Sequence, residues 1–576
     1  MPKPSNADVA KALYEIADLL EIKGGDRFRF LAYRRAGEAI EGFASPVAEM
    51  KEAQLVAING VGKGMAARVK EFADTGHMKA LDDLRAQVPV GLRQMTLLPG
   101  LGPKRAMQLF QELGVSNLDE LKRAAEEHRI ADVKGFGKKL EDEVLAAIAR
   151  GVTTEQRLLI ARALPAAQEL LRQLGECDAV ISSAYAGSLR RMKETIGDID
   201  LLASSERPDE VMDAFRSLRG VVSSKVEGST KTSVVTASGL QVDLRVVEPV
   251  AFGAALQYFT GSQAHNVKIR ARAVRMKLKL SEYGLFRVED DERIVSETEE
   301  EVYEALGMQW IPPTMREDRG EIEAAIAGEL PDVVTLDEIR GDLQSHSTYS
   351  DGKLTVREMA LAAKAKGYEY YAITDHGPRL TYMKHLGPRE IDAQRAEVRE
   401  IDKDLGATFH VLHGVELNMG KDGSLDYDDA VLAGFDWCVA SLHSDFKMSR
   451  RDQTKRFLRA ISNPYVHVVG HPSGRRLDRR EGVDADWEAI AKACAKSNVA
   501  LEINAHPYRL DLRDEHIRLA REHGVRFVIS TDAHSDAELD NMHFGVAMAQ
   551  RGWAESDHII NTWPWKRFRS FVDAKR

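Results

Sequence analysis

Residues 187–202 read GSLRRMKETIGDIDLL, and a second alternating run, LQVDLRVV, follows at residues 240–247. Asp198 and Asp200 stand two residues apart at the start of a strand-like run, so their side chains point to one face of a sheet. Asp243 lies in the second run and can join them from a neighbouring strand. Three grouped carboxylates are unfavourable without a cation, and two Mg²⁺ ions would both relieve the repulsion and prepare an in-line phosphoryl displacement. The pattern predicts a magnesium-dependent phosphoryl-transfer site.

The Gly187-Ser188 pair predicts a tight turn before a short helical segment. Its backbone N–H groups and the serine hydroxyl are suited to holding phosphate. Arg191 adds a fixed cation for a pyrophosphate leaving group. An Asp-x-Asp pair alone favours a strand with two surface aspartates, but the turn, the arginine and the third Asp together favour phosphoryl transfer.

These stretches, with YFTGSQAHN at residues 258–266, resemble the palm and thumb of the family X DNA polymerases, the relatives of DNA polymerase beta. The whole chain resembles the bacterial members that carry a C-terminal PHP (polymerase and histidinol phosphatase) domain. The resemblance implies that the catalytic Mg²⁺ ligands are Asp198, Asp200 and Asp243. It implies nucleotide contacts from Gly187, Ser188, Arg191 and Gly197 at the triphosphate, Tyr258, Phe259 and Gly261 at the sugar, Asn266 at the base edge and Arg270 on the template side. Gln241 stands where the family often has Arg, which weakens the expected support for the primer 3′-hydroxyl.

Composition limits the classes of protein to consider. With 576 residues the chain is long enough for about four domains. An apolar content of 44% and a charged content of 30% fit soluble globular domains, and no apolar run is long enough to span a bilayer. The N-terminus enters an amphipathic helix without a secretory segment, and three widely separated cysteines indicate neither a zinc motif nor a disulfide framework. We expect a cytoplasmic monomer without membrane partners.

Three glycine-rich turns divide the first 150 residues, which otherwise read as helical: INGVGKGMAARVKEF at 58–72, LPGLGPKRAMQLFQEL at 98–113 and VKGFGKKLEDEVLAAI at 133–148. They resemble helix-hairpin-helix loops, in which glycines let the backbone approach a phosphate without reading sequence. The DNA-binding residues so predicted are Gly60, Gly62, Lys63, Gly100, Gly102, Lys104, Gly135 and Gly137, with Lys138 following the third turn. The alternative for any single copy is a turn chosen for close helix packing.

Basic charge is local in this chain. The net charge of −10 opposes a whole-chain attraction to nucleic acid, but residues 268–279, KIRARAVRMKLK, carry six Lys or Arg and no acid. This run favours a DNA-binding patch over a merely solvated face.

The N-terminal RFRFLAYRRAGEAI resembles the small domain that binds a 5′-phosphate in relatives with deoxyribose-phosphate lyase activity. Those relatives form a Schiff base through a Lys, and Arg68 stands at the matching position. Because arginine stays protonated, it cannot act as that nucleophile. We expect no strong lyase activity.

After residue 338 short apolar strands alternate with helical stretches, which is typical of a mainly parallel α/β sheet. The strands are YYAITDH, HVLHGVEL, WCVASLH, VHVVGHP, VALEINAH and RFVISTDAH, and nearly all end in His, Asp or Glu. The carboxyl ends of barrel strands meet at one face, where active sites lie. Fourteen of the 17 histidines lie after residue 340. The sequence therefore predicts a second, histidine-rich site.

The resemblance implies a cluster of up to three Mn²⁺ or Zn²⁺ ions, held by His346, Asp351, His376, Glu416, His443, His471, Asp532 and His534. Imidazole and carboxylate ligands suit these metals, which activate water against a phosphodiester. Gln344 replaces one expected His beside His346, Glu416 and Asp532. Since an amide oxygen is a weaker ligand than imidazole, we expect one looser ion. Any one of these histidines alone would more often be structural.

The predicted fold is multidomain, with helical helix-hairpin-helix domains, an α+β nucleotidyltransferase palm and thumb, and a C-terminal α/β, distorted TIM-like PHP barrel. The predicted boundaries are 1–90 (8 kDa-like helical domain), 91–150 (helix-hairpin-helix, fingers-like), 151–250 (palm), 251–315 (thumb-like), 316–338 (linker) and 339–576 (PHP). The predicted function is gap-filling DNA synthesis from deoxynucleoside triphosphates on gapped or primer-template DNA, with a 3′-to-5′ exonuclease in the PHP domain. Two alternatives are a DNA-end binding polymerase whose PHP domain is structural or allosteric, and a nucleotidyltransferase acting on other substrates with a fused phosphatase.

Overall fold

The computed structural model describes residues 4, 6–41, 47–58, 60–96, 98, 101–149, 157–227, 230–236, 240–380, 384–477 and 479–575. The chain divides into two compact units, residues 1–156 and 157–576. In the described part of the chain, no helix is long and apolar enough to cross a membrane.

The first unit is helical, as predicted, and its apolar side chains form one core. Its helices are α1 (Asn6–Ile22), α2 (Arg27–Glu41), α3 (Glu52–Val56), α4 (Lys63–Thr75), α5 (Lys79–Arg85), α6 (Val90–Met95), α7 (Pro103–Leu113), α8 (Leu118–Glu126) and α9 (Lys138–Ala149). Gly62 and Gly102 are the N-cap residues of α4 and α7, and Pro103 occupies the first turn of α7, where its missing N–H costs nothing.

The palm opens the second unit. Its elements are β1 (Leu158–Leu159), α10 (Ile160–Leu174), β2 (Ser182–Tyr185), α11 (Gly187–Arg190), β3 (Thr195–Ile196), β4 (Ile199–Ser204), α12 (Pro208–Arg216), β5 (Val221–Glu227), β6 (Lys231–Thr236) and β7 (Gln241–Val247). Five strands form a sheet in the order β2-β4-β7-β6-β5, in which β4 and β7 run parallel. In β7 buried and half-buried residues alternate, so one face packs on the core and the other stays accessible.

The thumb follows, with α13 (Phe252–Thr260), α14 (Gln263–Arg275), β8 (Leu278–Ser281), β9 (Gly284–Arg287), β10 (Arg293–Val295) and α15 (Glu299–Ala305). The predicted linker contains one short helix, α16 (Glu321–Ala327). It packs tightly at its start, because Arg316 is fully buried and forms an ion pair of 2.6 Å with Glu299. Residues 316–317 therefore belong to the packed body of the protein.

The last part is an α/β barrel. Its elements are β11 (Gly341–Asp342), α17 (Val356–Ala365), β12 (Tyr370–Ile373), α18 (Pro388–Leu405), β13 (His410–Asn418), α19 (Asp429–Leu432), β14 (Trp437–Ser441), α20 (Arg450–Ile461), β15 (Val468–Gly470), α21 (Trp487–Ser497), β16 (Ala500–Asn504), α22 (Asp514–Glu522), β17 (Phe527–Ser530), α23 (Met542–Arg551) and α24 (Trp565–Asp573).

The seven barrel strands are parallel and pair in sequence order from β11 to β17. The ring closes where Ser345, after the first strand, bridges Ala533, after the last. The amide of His346 donates to the carbonyl of Ala533 at 2.8 Å. The strands are mainly apolar on both faces because helices cover the outside and the barrel interior is packed. Their carboxyl ends gather the polar residues, as the sequence predicts.

Candidate active sites

Two of the palm carboxylates lie side by side. Asp200 of β4 pairs in register with Asp243 of β7, and Asp198 precedes β4 by one residue. Burial, with the charges of Asp198 and Asp243, raises the pKa of Asp200 to about 7. A raised pKa with this cause indicates a site that favours a cation, because a positive charge between the carboxylates would restore their ionisation.

The turn before α11 brings the backbone against Asp200. Gly187 has a φ of +60°, and a Cβ atom there would collide with Asp200 Oδ2. Only glycine fits this approach. Ser188, on the first turn of α11, is half-buried, and Gly197 lies in the bend before β4. The short helix thus holds the predicted phosphate-binding residues beside the predicted metal ligands.

The side chain of Arg191 reaches from the palm to the thumb. Its guanidinium donates to the carbonyl of Thr260 at 2.5 Å and forms an ion pair of 3.1 Å with Glu317. A Cβ atom on Gly261 would lie 3.1 Å from the same guanidinium. Two residues predicted for different parts of the nucleotide, Arg191 and Gly261, are therefore neighbours.

The remaining predicted nucleotide contacts lie on α13 and α14. The rings of Tyr258 and Phe259 meet edge to face at 5.2 Å, and both side chains are half-buried. The amide of Asn266 is engaged internally, donating to the carbonyl of Tyr258 at 2.6 Å and accepting from Gln257 at 2.9 Å. Arg270 is exposed. A role of Asn266 at the base edge would require one of these bonds to exchange.

Gln241 contacts the third carboxylate. Its amide donates to Asp243 Oδ1 at 3.1 Å, and Lys231 Nζ lies 3.7 Å from Asp243 Oδ2. A neutral amide thus takes a position at which the resemblance leads one to expect a cation, and Lys231 supplies a positive charge from β6.

The basic run on α14 is partly neutralised. Lys268 forms ion pairs with Asp318 at 2.6 Å and Glu323 at 3.3 Å. Arg272 donates to the carbonyl of Leu306 at 2.6 Å. A carbonyl is neutral, so Arg272 keeps its charge, whereas the two carboxylates offset the charge of Lys268. Asp318 and Glu323 lie far from Lys268 in the sequence, so the run alone did not show that the patch is less basic there.

The three glycine turns share one geometry. In each, the amide of the apolar residue between the glycines donates to the carbonyl three residues before it, at 3.0 Å for Val61, 3.0 Å for Leu101 and 2.9 Å for Phe136. These three side chains are buried, while the glycine and the lysine that follow are exposed: Gly62 and Lys63, Gly102 and Lys104, and Gly137 and Lys138. Gly60 and Gly135 have φ values of +92° and +89°. Gly100 lies outside the described residues.

Close packing does not explain the second glycine of each turn. A Cβ atom on Gly62, Gly102 or Gly137 would meet no other atom of the described residues within 4 Å. The turns therefore leave open space in front of the backbone, which is what an approaching phosphate needs.

The second site lies where the barrel strands end. Seven of the eight predicted ligands form three groups whose ligand atoms lie within 4.8 Å of one another. The groups are His346, Asp351, His376 and His534; His376, Glu416 and His443; and His346, Glu416 and Asp532. The eighth, His471, lies with its Nε2 2.8 Å from Glu416 Oε1. The structure thus brings all eight together.

Glu416 is the centre of this cluster. Its Oε2 atom is buried and forms no hydrogen bond with any described residue, although His376 Nδ1 and His346 Nε2 lie 3.0 and 3.5 Å away. Buried polar atoms without partners are rare in folded proteins. A carboxylate oxygen that faces two imidazole nitrogens without hydrogen bonding fits a bound cation, so these residues suit the implied metals.

The pKa values of two imidazoles in the cluster are raised. Burial lowers the pKa of His534, but its hydrogen bond to Asp351 and the charge of that carboxylate outweigh this and raise the pKa to about 10. Burial also opposes protonation of His376, yet the charges of Glu416 and Asp351 raise its pKa to about 8. Since a metal ligand must be deprotonated, cation binding would release these protons.

A cavity of about 310 Å³ opens over the cluster. Besides six of the predicted ligands, Arg476, His506 and Arg509 line it. Arg509 Nε lies 3.3 Å from Asp532 Oδ2. The sequence did not identify these arginines as site residues, because they lie in loops beyond the strand ends. They place positive charge where a phosphodiester would enter.

Two asparagines orient the ligands. Asn418 Oδ1 lies 2.7 Å from His443 Nδ1, and Asn504 donates to Asp532 Oδ2 at 3.1 Å. Alternation along β13 could have identified Asn418, because it lies two residues after Glu416 on the same face. By contrast, His413 stacks on Phe435 and is not part of the cluster.

Gln344 is fully buried, and neither polar atom of its amide has a hydrogen-bond partner among the described residues. The backbone carbonyl of Gln344 accepts a hydrogen bond from the backbone amide of Asp532 at 3.1 Å, and this places the residue next to the third group of ligands. A buried amide without partners costs about 1–3 kcal/mol, so this site favours an additional polar partner.

Comparison with known proteins decides the family. The chain is 38% identical over 567 residues to the DNA polymerase/3′-5′ exonuclease PolX of Bacillus subtilis (strain 168), an alignment that covers 98% of this chain and 99% of that protein. This chain belongs to the family X DNA polymerases with a C-terminal PHP domain. The predicted family, fold class and enzyme class are confirmed.

Partial matches agree with this family. Sequence profiles match the DNA polymerase beta thumb at residues 255–317, a helix-hairpin-helix domain at 4–78, a SAM-like helix-hairpin-helix tandem at 92–150 and the PHP domain at 342–506. DNA polymerase lambda of Rattus norvegicus is 28% identical over 343 residues, which cover 54% of this chain and 56% of that protein. A probable phosphatase of Photobacterium profundum is 32% identical over 243 residues, covering 40% of this family X chain and 92% of the phosphatase.

Proposed function

We propose that this family X enzyme fills short gaps in DNA, with nucleotidyl transfer in the palm and 3′-to-5′ exonucleolytic trimming in the PHP domain. The observation that carries the first activity is the register pair of Asp200 and Asp243 beside the Gly187 turn. The observation that carries the second is the cluster of ligands around Glu416. The likeness to DNA polymerase lambda supports the gap-filling role.

In the palm, Asp198, Asp200 and Asp243 would hold two Mg²⁺ ions. These ions would activate the primer hydroxyl and stabilise the pyrophosphate leaving group. The backbone and hydroxyl of Ser188 would hold the triphosphate, and Arg191 would neutralise it. Tyr258 and Phe259, together with Gly261, would border the sugar, and the exposed Arg270 would face the template.

In the first unit, the hairpin glycines and lysines would bind the DNA backbone. The exposed Gly62, Gly102 and Gly137, which immediately precede α4, α7 and α9, support this role, because the space in front of each is open. Such contacts position a duplex without reading its sequence. They favour gapped or primer-template DNA over a small-molecule substrate.

In the barrel, the eight clustered residues would hold up to three Mn²⁺ or Zn²⁺ ions. The bound metal would supply hydroxide for attack on a phosphodiester. Arg476 and Arg509, which line the cavity, would hold the phosphate of the DNA end. Asn418 and Asn504 would keep His443 and Asp532 oriented toward the metals.

The proposal includes a monomer working in the cytoplasm. The three cysteines form no disulfide with one another, and Cys438 and Cys494 are buried, which suits a reducing compartment. Arg68 donates to the carbonyl of Gly64 at 2.6 Å and lies over the Tyr33 ring. Because its guanidinium stays protonated, it would not form a Schiff base. Light scattering of the purified protein tests the oligomeric state.

End-labelled gapped DNA tests both activities together. We expect extension with nucleotides and Mg²⁺, and shortening of the 3′ end with Mn²⁺ when nucleotides are omitted. Asp200→Asn should remove extension alone, and Asp532→Ala should remove shortening alone. If Asp532→Ala leaves shortening intact, the PHP domain is structural or allosteric and the exonuclease assignment is wrong.

A further inference from the structure

Two arginines of the PHP barrel contact the loop that follows the predicted triphosphate helix. Arg551, at the end of α23, donates to the carbonyl of Arg191 at 2.9 Å. Arg475 forms an ion pair of 2.6 Å with Glu194. The loop 191–194 of the palm is therefore held from the barrel at both of its ends.

The first of these contacts includes a shared carboxylate. Glu317 Oε1 lies 3.1 Å from Arg191 Nε and 3.2 Å from Arg551 Nη1. The side chain of Arg551 is only 3% exposed, and those of Arg191 and Glu317 are 13% and 15% exposed. One carboxylate oxygen thus serves two guanidinium groups, one from each side of the palm-barrel boundary. Lys193 Nζ lies farther from the same oxygen, at 3.9 Å.

This sharing bears on the charge that Arg191 can offer to a ligand. A carboxylate that pairs with Arg191 alone would neutralise the cation on which a triphosphate depends. Because Arg551 draws on the same oxygen atom, Glu317 holds Arg191 less strongly. The hydrogen bond from Arg551 to the Arg191 carbonyl also fixes the backbone from which that side chain extends.

We propose that Arg551, a residue of the nuclease barrel, is a positioning residue for nucleotide binding in the polymerase palm, acting through Glu317 and Arg191. This inference rests on the proposed role of Arg191 at the triphosphate. It gives the PHP domain a part in DNA synthesis that does not depend on its metal cluster.

The test is steady-state extension of gapped DNA by the full chain with Mg²⁺. We expect Arg551→Met to raise the KM for deoxynucleoside triphosphate by roughly 2- to 30-fold, the range of energetic coupling through such contacts, with a smaller change in kcat. Exonucleolytic shortening should stay at the wild-type rate, which shows that the barrel is folded. Arg551→Lys serves as the test if Arg551→Met does not fold. It retains the positive charge, so we expect its KM to exceed that of the wild type by less than is expected for Arg551→Met.

Arg319→Met is the matched control. Arg319 pairs with the same carboxyl group as Arg551, Asp514, at 3.1 Å, and removing it deletes the same charge. No contact between Arg319 and Arg191 occurs among the described residues. We expect its KM to match the wild type, and an equal rise in both variants would overturn the proposal.

A double variant separates this role from plain structural support. In the double variant Arg551→Met, Glu317→Gln, the carboxylate that would hold Arg191 is gone. We therefore expect its KM to return toward that of the single variant Glu317→Gln. If the double variant is as impaired as Arg551→Met, the charge-sharing mechanism is wrong. Arg191→Met distinguishes the two proposals. If Arg191→Met leaves the KM unchanged, the proposed role of Arg191 at the triphosphate is wrong. If Arg191→Met raises the KM and Arg551→Met does not, only the proposed role of Arg551 is wrong.

Discussion

Asp200 and Asp243 lie side by side on the parallel strands β4 and β7, and burial, together with the charges of Asp198 and Asp243, raises the pKa of Asp200 to about 7. Its pKa in the unfolded chain is lower, so the folded protein binds the extra proton between about pH 4 and pH 7. Ionisation of Asp200 therefore costs stability progressively as the pH rises through this window.

Asp200→Asn should abolish extension yet stabilise the metal-free protein, by an amount that grows from about pH 4 to pH 7 and then stays constant. The shift implies a gain of about 4 kcal/mol at pH 8. Thermal unfolding of wild type and variant between pH 5 and pH 8, with chelator, measures it, and Mg²⁺ should reduce the difference. Parallel pH profiles for the two proteins would contradict the raised pKa.

Gly187→Ala should lower the rate of primer extension by about 10²-fold or more, because the new methyl group would collide with the Asp200 carboxylate. Gly220→Ala is the control, since Gly220 also has a positive φ, +93°, but no described atom within 4 Å of the added Cβ. It should lose about 1 kcal/mol of stability from backbone strain and keep its activity. Equal loss of extension in both variants would make strain, rather than the collision, the cause.

Gln344→His should increase the amount of Mn²⁺ or Zn²⁺ retained after dialysis, because imidazole binds these metals better than an amide. Gln344→Met has a similar length and no ligand atom of this kind, and should retain no more metal than the wild type. Metal content by elemental analysis is the measurement, so the result does not depend on catalysis. If both variants retain the wild-type amount, Gln344 lies outside the metal site.

Lys63→Met should weaken binding to gapped DNA and reduce the slope of affinity against salt by about 1, as expected for one lost phosphate contact. Lys70→Met removes the same charge from the same helix, but Lys70 pairs with Asp74 at 2.9 Å, so it should change both quantities less. Titrations at several salt concentrations measure the slope. Identical slopes for the two variants would refute a specific contact by the first hairpin.

The sequence predicted the strands and the polar residues at their carboxyl ends, because β12 to β17 are mainly apolar runs that finish in His, Asp, Glu or other polar residues. The hairpins were predictable for a similar reason, since each is encoded within about 15 residues. The Glu416 cluster was predictable only as a set, and its grouping into three pockets needed the closure of the barrel.

Ion pairs and hydrogen bonds between distant parts of the chain could not be predicted from the sequence. Arg191 and Glu317 are 126 residues apart, and Arg191 and Arg551 are 360 apart. The sequence marks Arg191 as a nucleotide contact but gives no sign of these partners, and Glu317 and Arg551 each look like an ordinary surface charge. Lys268 was misjudged for the same reason, because its acidic partners lie in the segment expected to be a linker.

The closure of the barrel through Ser345 and Ala533 orders events during synthesis of the protein. Chains grow from the N-terminus, and early domains fold first. All palm strands and Glu317 leave the ribosome well before Asp532, His534 and Arg551. A nascent or truncated chain that ends in this interval carries every palm carboxylate but lacks both the last proposed nuclease ligands and the arginine that we propose positions Arg191. These ligands and this contact are thus synthesised together, between Asp532 and Arg551.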